Sequence, residues 1–292
     1  MSHTPRPEVP SAKLMDGRPL ARRLLEEARR KVQHIRARTG VTPRLATVLV
    51  GNDPASATYV RMKCRRCAEV GMESIKIELP VGITTEELVA RVRALGADPG
   101  VHGILVQHPV PAPLDKRAAF EAIPVCKDVD GVTSTTLGRT ILGMPAYSAC
   151  TPTGIMLLLR EYQVELRGAY AVVIGRSPIL GRPMASMLIN AHATVTLCHS
   201  QTRDLPEIVR RADVLIAAVG RPRYVQGDWL KPGVVVVDAG YNPGNIGDVD
   251  FAAALPRVGR ITPVPGGVGP MTIAVLIDQT ATAAAKQLGV AL

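Results

Sequence analysis

Aromatic side chains are scarce here: two phenylalanines, one tryptophan and six tyrosines in 292 residues. Surfaces that grip single-stranded nucleic acid are built from stacked rings, so the shortage counts against that use. No run of eighteen apolar residues occurs, and no membrane span or membrane partner is expected. The opening stretch "MSHTPRPEVPSAKL" is polar and proline-rich and lacks the apolar segment of a secretory signal. Residues 1–12 are read as a disordered lead-in and the cytoplasm as the expected location. Cysteines are few and odd in number, five in all. Cys64 and Cys67 form a C-x-x-C, yet no second pair or histidine pair stands at ligand spacing and the motif lies in a helical pattern. Both are read as buried structural thiols, with no metal expected.

What is present describes a soluble globular chain long enough for two domains: 47% apolar residues, 21% charged, net charge +10. The basic residues are dispersed over many segments. A small anionic substrate or a phosphorylated cofactor suits such a charge, and nucleic acid remains an alternative that the scattered pattern disfavours.

Along the chain, helical and strand patterns alternate. Leu20, Leu24, Leu25, Ala28, Val32 and Ile35 recur at helical spacing from Gly17 to about Arg38. "RLATVLVGND" reads as a buried strand, and Asp53-Pro54 as the cap and first turn of a helix ending at Gly71. "ESIKIELP" is a strand, "TTEELVARVRALG" a helix, and "VHGILVQHPVP" a strand running into a proline-broken loop. Residues 132–150 show no strong period. After a helix over Thr153–Tyr162, the strands "AYAVVIGRS", "ATVTLCHS", "ADVLIAAVG" and "GVVVVDAG" form a second series, and a last helix runs from Met271 to about Leu288. Alternation with continuous apolar strands implies α/β domains with parallel sheets covered on both faces. The expected limits are 13–148, completed by 271–292, for the first domain and 149–270 for the second, a Rossmann-type dinucleotide-binding domain.

In the second series "AVVIGRSPILGRPMASMLI" is a strand, a glycine turn and a helix. The usual G-x-G-x-x-G is absent, because five residues separate Gly175 from Gly181. The physical requirement is still met: Gly175 ends a strand, and the next helix N-terminus can receive a phosphate. NAD-preferring folds end their second strand on an acidic residue that holds the ribose 2′-hydroxyl. Here "ATVTLCHSQTR" ends in Ser200, Gln201, Thr202 and Arg203, and Arg176 follows Gly175. Hydroxyls and guanidinium groups hold a 2′-phosphate that a carboxylate would repel, so NADP is the expected cofactor.

The helix from Pro54 to Glu69 carries two stripes. Ala57, Val60, Cys64, Cys67 and Ala68 follow core spacing, and Ser56, Tyr59 and Lys63 form a polar line beside them. A lysine loses its proton when desolvated or crowded by cations, and an arginine does not. Arg61, Arg65 and Arg66 are its neighbours in sequence. On this helix alone, a cleft lining and a snorkelling lysine beside a half-buried tyrosine both remain open.

Six stretches in order, "VGNDPASATYVRMKCRRCAEVG", "GILVQHPVP", "KDVDG", "CTPTG", "VVIGRSPILGRPM" and "ITPVPGGVGPMTIA", resemble the bifunctional methylenetetrahydrofolate dehydrogenase/methenyltetrahydrofolate cyclohydrolase family. The resemblance runs from about residue 13 to 288. It implies homodimers of two α/β domains with a cleft between them, acting on tetrahydrofolate derivatives with or without polyglutamate tails. It further implies oxidation of 5,10-methylenetetrahydrofolate by hydride transfer to NADP, then hydrolysis of the methenyl product to 10-formyltetrahydrofolate. On this resemblance Lys63 is the catalytic lysine, Tyr59 lies beside it over the folate, and Gln107 positions the lysine. Asp130 grips the pterin ring. Val106, His108 and the loop Pro265, Gly266, Gly267, Val268 and Gly269 also contact folate. Gly175, Arg176, Ser177, Ser200, Gln201, Thr202 and Tyr241 take matching cofactor positions.

Departures from the family pattern are local. "QHPVP" replaces "QLPLP", placing His108 beside Gln107, where it either titrates near neutral pH or points away. Thr136 stands where asparagine is usual, Thr153 replaces a basic residue, and Tyr241 replaces an isoleucine. These leave open a paralogue of the same fold with only one of the two activities.

Overall fold

The computed structural model describes residues 13–292; the lead-in expected over residues 1–12 lies outside the described residues. The chain divides into two compact units, residues 21–150 with 272–292, and residues 151–271 with the described residues before 21.

The unit containing residues 21–150 takes most of α1 (Gly17–Thr39), then β1 (Arg44–Val50), α2 (Pro54–Glu69), β2 (Glu73–Leu79), α3 (Thr85–Ala97), β3 (Gly103–Val106), α4 (Lys116–Glu121) and α5 (Ser134–Ile141). Its sheet has the order β2-β1-β3, all parallel, with Val48 opposite Ile77 on one side and Val106 on the other. β1 and β3 are buried almost throughout, and β2 is partly exposed along its whole length. On α1, Ala21, Ala28, Val32 and Ile35 supply the buried face. Asp53 accepts from the Ser56 amide at 2.7 Å and Pro54 opens α2, so the cap read from the sequence is present. A Thr84–Glu87 capping box starts α3.

Helix α5 is only eight residues long and turns its threonines inward: Thr136 and Thr140 are 1% and 5% exposed, whereas Ile141 is 52% exposed. Thr133 caps it, accepting from the Thr136 amide at 3.1 Å and donating to the Thr136 hydroxyl at 3.0 Å. Thr136, the departure from asparagine, is thus a structural hydroxyl.

The second unit runs through α6 (Cys150–Glu161), β4 (Tyr170–Ile174), α7 (Gly181–Asn190), β5 (Thr194–Cys198), α8 (Leu205–Arg210), β6 (Val214–Ala217), β7 (Val235–Asp238), α9 (Phe251–Ala254) and β8 (Arg260–Ile261). Its sheet is parallel with the order β5-β4-β6-β7-β8. The strand order reverses direction at β4, which makes the β4/β6 boundary a topological switch point. The fifth strand, β8, is only two residues long, too short to leave a periodic trace. Leu14 bridges Ile261 beside it.

The last helix, α10 (Val268–Gln287), starts three residues before the sequence reading placed it. Pro270 marks no boundary because it stands in the first turn, where its missing N–H costs no helical bond. The buried residues of α10 include Ala274, Val275, Leu276, Ile277, Ala281 and Ala284, nearly all round the helix, as expected of a helix enclosed by other elements.

Leu215 on β6 is fully buried, whereas Leu142 is 73% exposed. Leu215→Ala is therefore expected to cost about 2–5 kcal/mol, and Leu142→Ala to stay within about 0.5 kcal/mol. Chemical denaturation followed by circular dichroism checks both, and equal losses would contradict the burial pattern.

Candidate active site

The buried face of α2 differs from the stripe predicted for it. Ser56, Val60, Lys63 and Cys67, at i, i+4, i+7 and i+11, are the residues turned inward, with exposures of 3, 0, 9 and 0%. Ala68, expected in the core, is exposed, and Ala57 and Cys64 are only half-buried. The lysine does not border the core; it lies in it. Tyr59 is half-buried one turn before Lys63.

Lys63 Nζ donates to Gln107 Oε1 at 2.9 Å. Gln107 follows β3, and its amide extends the parallel ladder by donating to the Val48 carbonyl at 2.8 Å. Its Nε2 donates to the His108 carbonyl at 2.6 Å, which fixes which end of the side-chain amide faces the lysine. The same carbonyl accepts from Ser56 Oγ at 3.4 Å. Val106 is buried at the end of β3. Two strands and one helix therefore hold a single amine.

Burial lowers the Lys63 pKa, against the opposing pull of Asp130 and of the Cys150, Cys64 and Cys67 thiols. The arginines are not the cause. Arg61 donates to the Thr58 hydroxyl at 2.7 Å, and Arg65 and Arg66 pair with Glu69 at 3.5 and 2.5 Å. Burial also pushes the Asp130 carboxyl up to about 6, although the Lys63 charge and a Cys150 hydrogen bond pull it down. Both members of this pair move toward their neutral forms. His108 is pushed down to about 4, first by burial and then by Lys116 and Lys63. Its ring packs edge-on against Phe120 with centroids 4.9 Å apart. It is neutral near pH 7, so of the two alternatives for His108 the near-neutral titration is set aside.

Two residues bearing on this cluster escaped the sequence reading. Cys150 Sγ donates to the Val129 carbonyl at 3.2 Å and hydrogen-bonds the Asp130 carboxyl. Gln279 Nε2 reaches the Val129 carbonyl at 2.8 Å, the Ser148 carbonyl at 3.1 Å and Cys150 Sγ at 3.4 Å. Together they clip the Asp130 turn to the start of α6. The sequence carried no distinct signal for Gln279, which stands between Asp278 and Thr280 in a helix that also holds Thr272, Thr282, Lys286 and Gln287. Cys67, read as a structural thiol, is buried and free, and burial pushes it up to about 12. Among the described residues no cluster suited to a metal ion exists.

The second unit gathers the other group of predicted residues at the carboxyl ends of its strands. Gly175 has φ +124° and follows β4, and its amide donates to the Cys198 carbonyl at 2.9 Å. A Cβ on Gly181 would fall 1.8 Å from the Gly175 carbonyl, so the turn into α7 closes only with glycine there. α7 has no side-chain cap; in its first turn the Arg182 amide donates to the Ser177 carbonyl at 3.1 Å and Pro183 carries no N–H, so only its very first amide, that of Gly181, is offered to an external acceptor. Arg176 and Ser177 are exposed in that turn. Beyond β5, the His199 amide donates to the Thr202 hydroxyl at 2.8 Å, shaping a turn on which Ser200 and Gln201 are exposed. The first carboxylate after β5 is Asp204, six residues past Cys198. These features fit a dinucleotide whose 2′ position carries a phosphate. Tyr241, 55% exposed after β7, donates to Asn245 Oδ1 at 2.7 Å. Pro265, Gly266 and Gly267 lead into α10, and Val268 and Gly269 are its first residues; the Gly266 carbonyl accepts from the Gly17 amide at 2.9 Å.

A buried, amide-held lysine on one α/β unit, and a doubly wound parallel sheet with an open glycine turn on another, define a two-unit enzyme of the dinucleotide-dependent class. Comparison with known proteins makes this specific. Residues 15–130 match the family model for the tetrahydrofolate dehydrogenase/cyclohydrolase catalytic domain, and residues 149–288 match that family's NAD(P)-binding domain. The chain belongs to the tetrahydrofolate dehydrogenase/cyclohydrolase family. It is 59% identical to "Bifunctional protein FolD 1" of Streptomyces avermitilis, covering 96% of this chain and 98% of that one. It is 54% identical to "Bifunctional protein FolD" of Saccharophagus degradans, covering 96% and 100%. The solved bifunctional enzyme FolD of Campylobacter jejuni superposes with a TM-score of 0.90 at 45% identity, over 94% and 98% of the chains. A Trypanosoma brucei relative, 37% identical with a TM-score of 0.90 over 95% and 98%, was solved with NADP cofactor and an inhibitor.

Proposed function

We propose that this protein oxidises 5,10-methylenetetrahydrofolate with NADP and hydrolyses the resulting 5,10-methenyl cation to 10-formyltetrahydrofolate. The observation that carries the reading is the buried Lys63 amine held on Gln107 Oε1 in a chain of this family. The dehydrogenase and cyclohydrolase activities are those of the family, and the residues supply a mechanism.

In hydrolysis, water adds to the methenyl carbon and gives up one proton; the carbon–N5 bond then breaks as the adduct's hydroxyl becomes the formyl C=O and its proton passes to N5, so one proton leaves overall. A neutral Lys63 amine accepts that proton, and Gln107 Oε1 holds one N–H so that the lone pair stays aimed at the substrate. The cationic substrate itself disfavours a second positive charge nearby, adding to the effect of burial on Lys63. Asp130 in its carboxylate form accepts from the donor edge of the pterin, steadied by Cys150 and Gln279. Tyr59 lies against the folate one turn before Lys63. Gln107, His108 and Val106 line the same end of β3, and Pro265 to Gly269 present backbone to the folate.

NADP, when bound, accepts the hydride from the methylene carbon, a step that needs no protein acid. The chain's part is to hold it: Gly175, Arg176 and Ser177 at the pyrophosphate turn, Ser200, Gln201 and Thr202 at the 2′-phosphate, and Tyr241 after β7. The protein works as a homodimer in the cytoplasm, and among the described residues no helix is long and apolar enough to cross a membrane. The net charge of +10 favours polyglutamylated, hence polyanionic, folates.

A two-wavelength assay following reduced cofactor and the methenyl intermediate tests the reading. Wild type is expected to show both steps, with kcat/KM at least about tenfold higher for NADP than for NAD. Lys63→Met is expected to lower the hydrolytic kcat by about 10²–10⁴-fold. Absence of both activities from wild type, or full hydrolysis by Lys63→Met, contradicts the proposal.

The pH dependence follows from Asp130. Below its pKa of about 6 the carboxyl is protonated and a poor acceptor, and above it the ionised form binds. The kcat/KM for hydrolysis should therefore rise with pH through an apparent pKa near 6, and Asp130→Asn should remove that limb. A profile flat across this range in wild type contradicts the assignment.

A further inference from the structure

Two buried carboxylates in the second unit have no part in the reactions above. Asp238 ends β7 and is 2% exposed; Asp248 lies in the following loop and is fully buried. Burying two acids side by side is costly unless donors surround them. Asp248 accepts from the amides of Val219 at 2.6 Å, Gly220 at 2.9 Å and Arg221 at 3.0 Å, and from Asn242 Nδ2 at 3.0 Å. Asp238 accepts from the amides of Gly240, Asp248 and Val249, each at 2.9 Å. Backbone crowds both acids: a Cβ on Gly240 would fall 2.2 Å from the Asp248 carboxyl, and one on Gly247 would fall 1.9 Å from Asp238 Oδ2. With N–H donors taking up these oxygens, the pair is a junction between loops, and a metal has no claim on it.

The loops it joins are those leaving β6 (Val219–Arg221) and β7 (Gly240–Asn242). β6 lies beside β4, and a Cβ on Gly175 would fall 2.2 Å from the Ala218 carbonyl. The adenosine half of a dinucleotide reaches toward β5, where Ser200 to Thr202 stand. Across the switch point its other half must lie over β6 and β7, on the loops that Asp248 fastens. We propose that Asp248, seated on Asp238, is a positioning residue for the nicotinamide end of the cofactor, through Val219–Arg221 and the Tyr241–Asn242 turn.

This inference rests on the NADP-dependent reading, and the two fail differently. Wild type lacking NADP-dependent oxidation refutes that reading. Given wild-type activity, Asp248→Asn, which turns an amide N–H toward donors, should raise KM for NADP by about tenfold or more. Hydrolysis of the methenyl substrate, assayed without NADP, should stay within about twofold of wild type. A purely structural role moves both activities together, so parallel losses overturn the proposal, as does an unchanged KM for NADP. Should Asp248→Asn fail to fold, Asn242→Ala, which removes one donor and keeps the carboxylate, carries the same test. It should raise KM for NADP by about threefold with hydrolysis unchanged; no change, or loss of both, overturns the proposal.

Discussion

An amine below the surface of a protein either finds a counter-charge or gives up its proton. Lys63 is hydrogen-bonded to a neutral amide oxygen, and burial outweighs the attraction of the nearby Asp130. The carboxyl obeys the same rule, rising to about 6 despite the lysine. Each group would stabilise the other's charge, yet the enclosure drives both toward neutrality. A lysine and an aspartate in water feel no such push toward their neutral forms.

The fold contributes mainly by fixing this enclosure. β1 and β3 pair in parallel, and the Val48 carbonyl holds the Gln107 amide where the ladder ends. The side chain of Gln107 therefore starts from a rigid point, and its own donor is spent on the His108 carbonyl. Lys127 shows what the same residue type does without this setting. It is equally buried, 6% exposed, but Nζ donates to the Asp98 carbonyl at 2.6 Å and serves only to tie two segments together.

Much of the architecture was legible because it rests on local rules. Alternating strand and helix patterns gave two α/β units, and Asp53-Pro54 marked the start of α2. The missing acid at the end of β5 was readable as charge. What could not be read depended on partners distant in sequence. The inward face of α2 pairs Ser56 and Lys63 with groups some fifty residues away, so apolar spacing found Val60 and Cys67 but not the two polar residues beside them. α5 buries threonines and exposes Ile141, so its apolar residues pointed to the wrong face, and β8 has two residues, too few for a period. Gln279 acts across more than a hundred residues, and the Asp238–Asp248 junction satisfies its acids with backbone amides, which leave no mark in a sequence. The site lysine itself was legible only through the six ordered motifs; helix pattern alone left it open.

Hydrolysis by this site depends on the protonation of one side chain. Carbon-13 labelling at lysine Cε, with Lys63→Arg to assign the resonance, reports its titration directly in the folded protein. The Lys63 signal should titrate below the ordinary lysine value of 10.5, and Gln107→Leu should shift that midpoint. A midpoint at or above 10.5 would mean that the amine is a charged, ordinary lysine, and the mechanism built on it would be wrong.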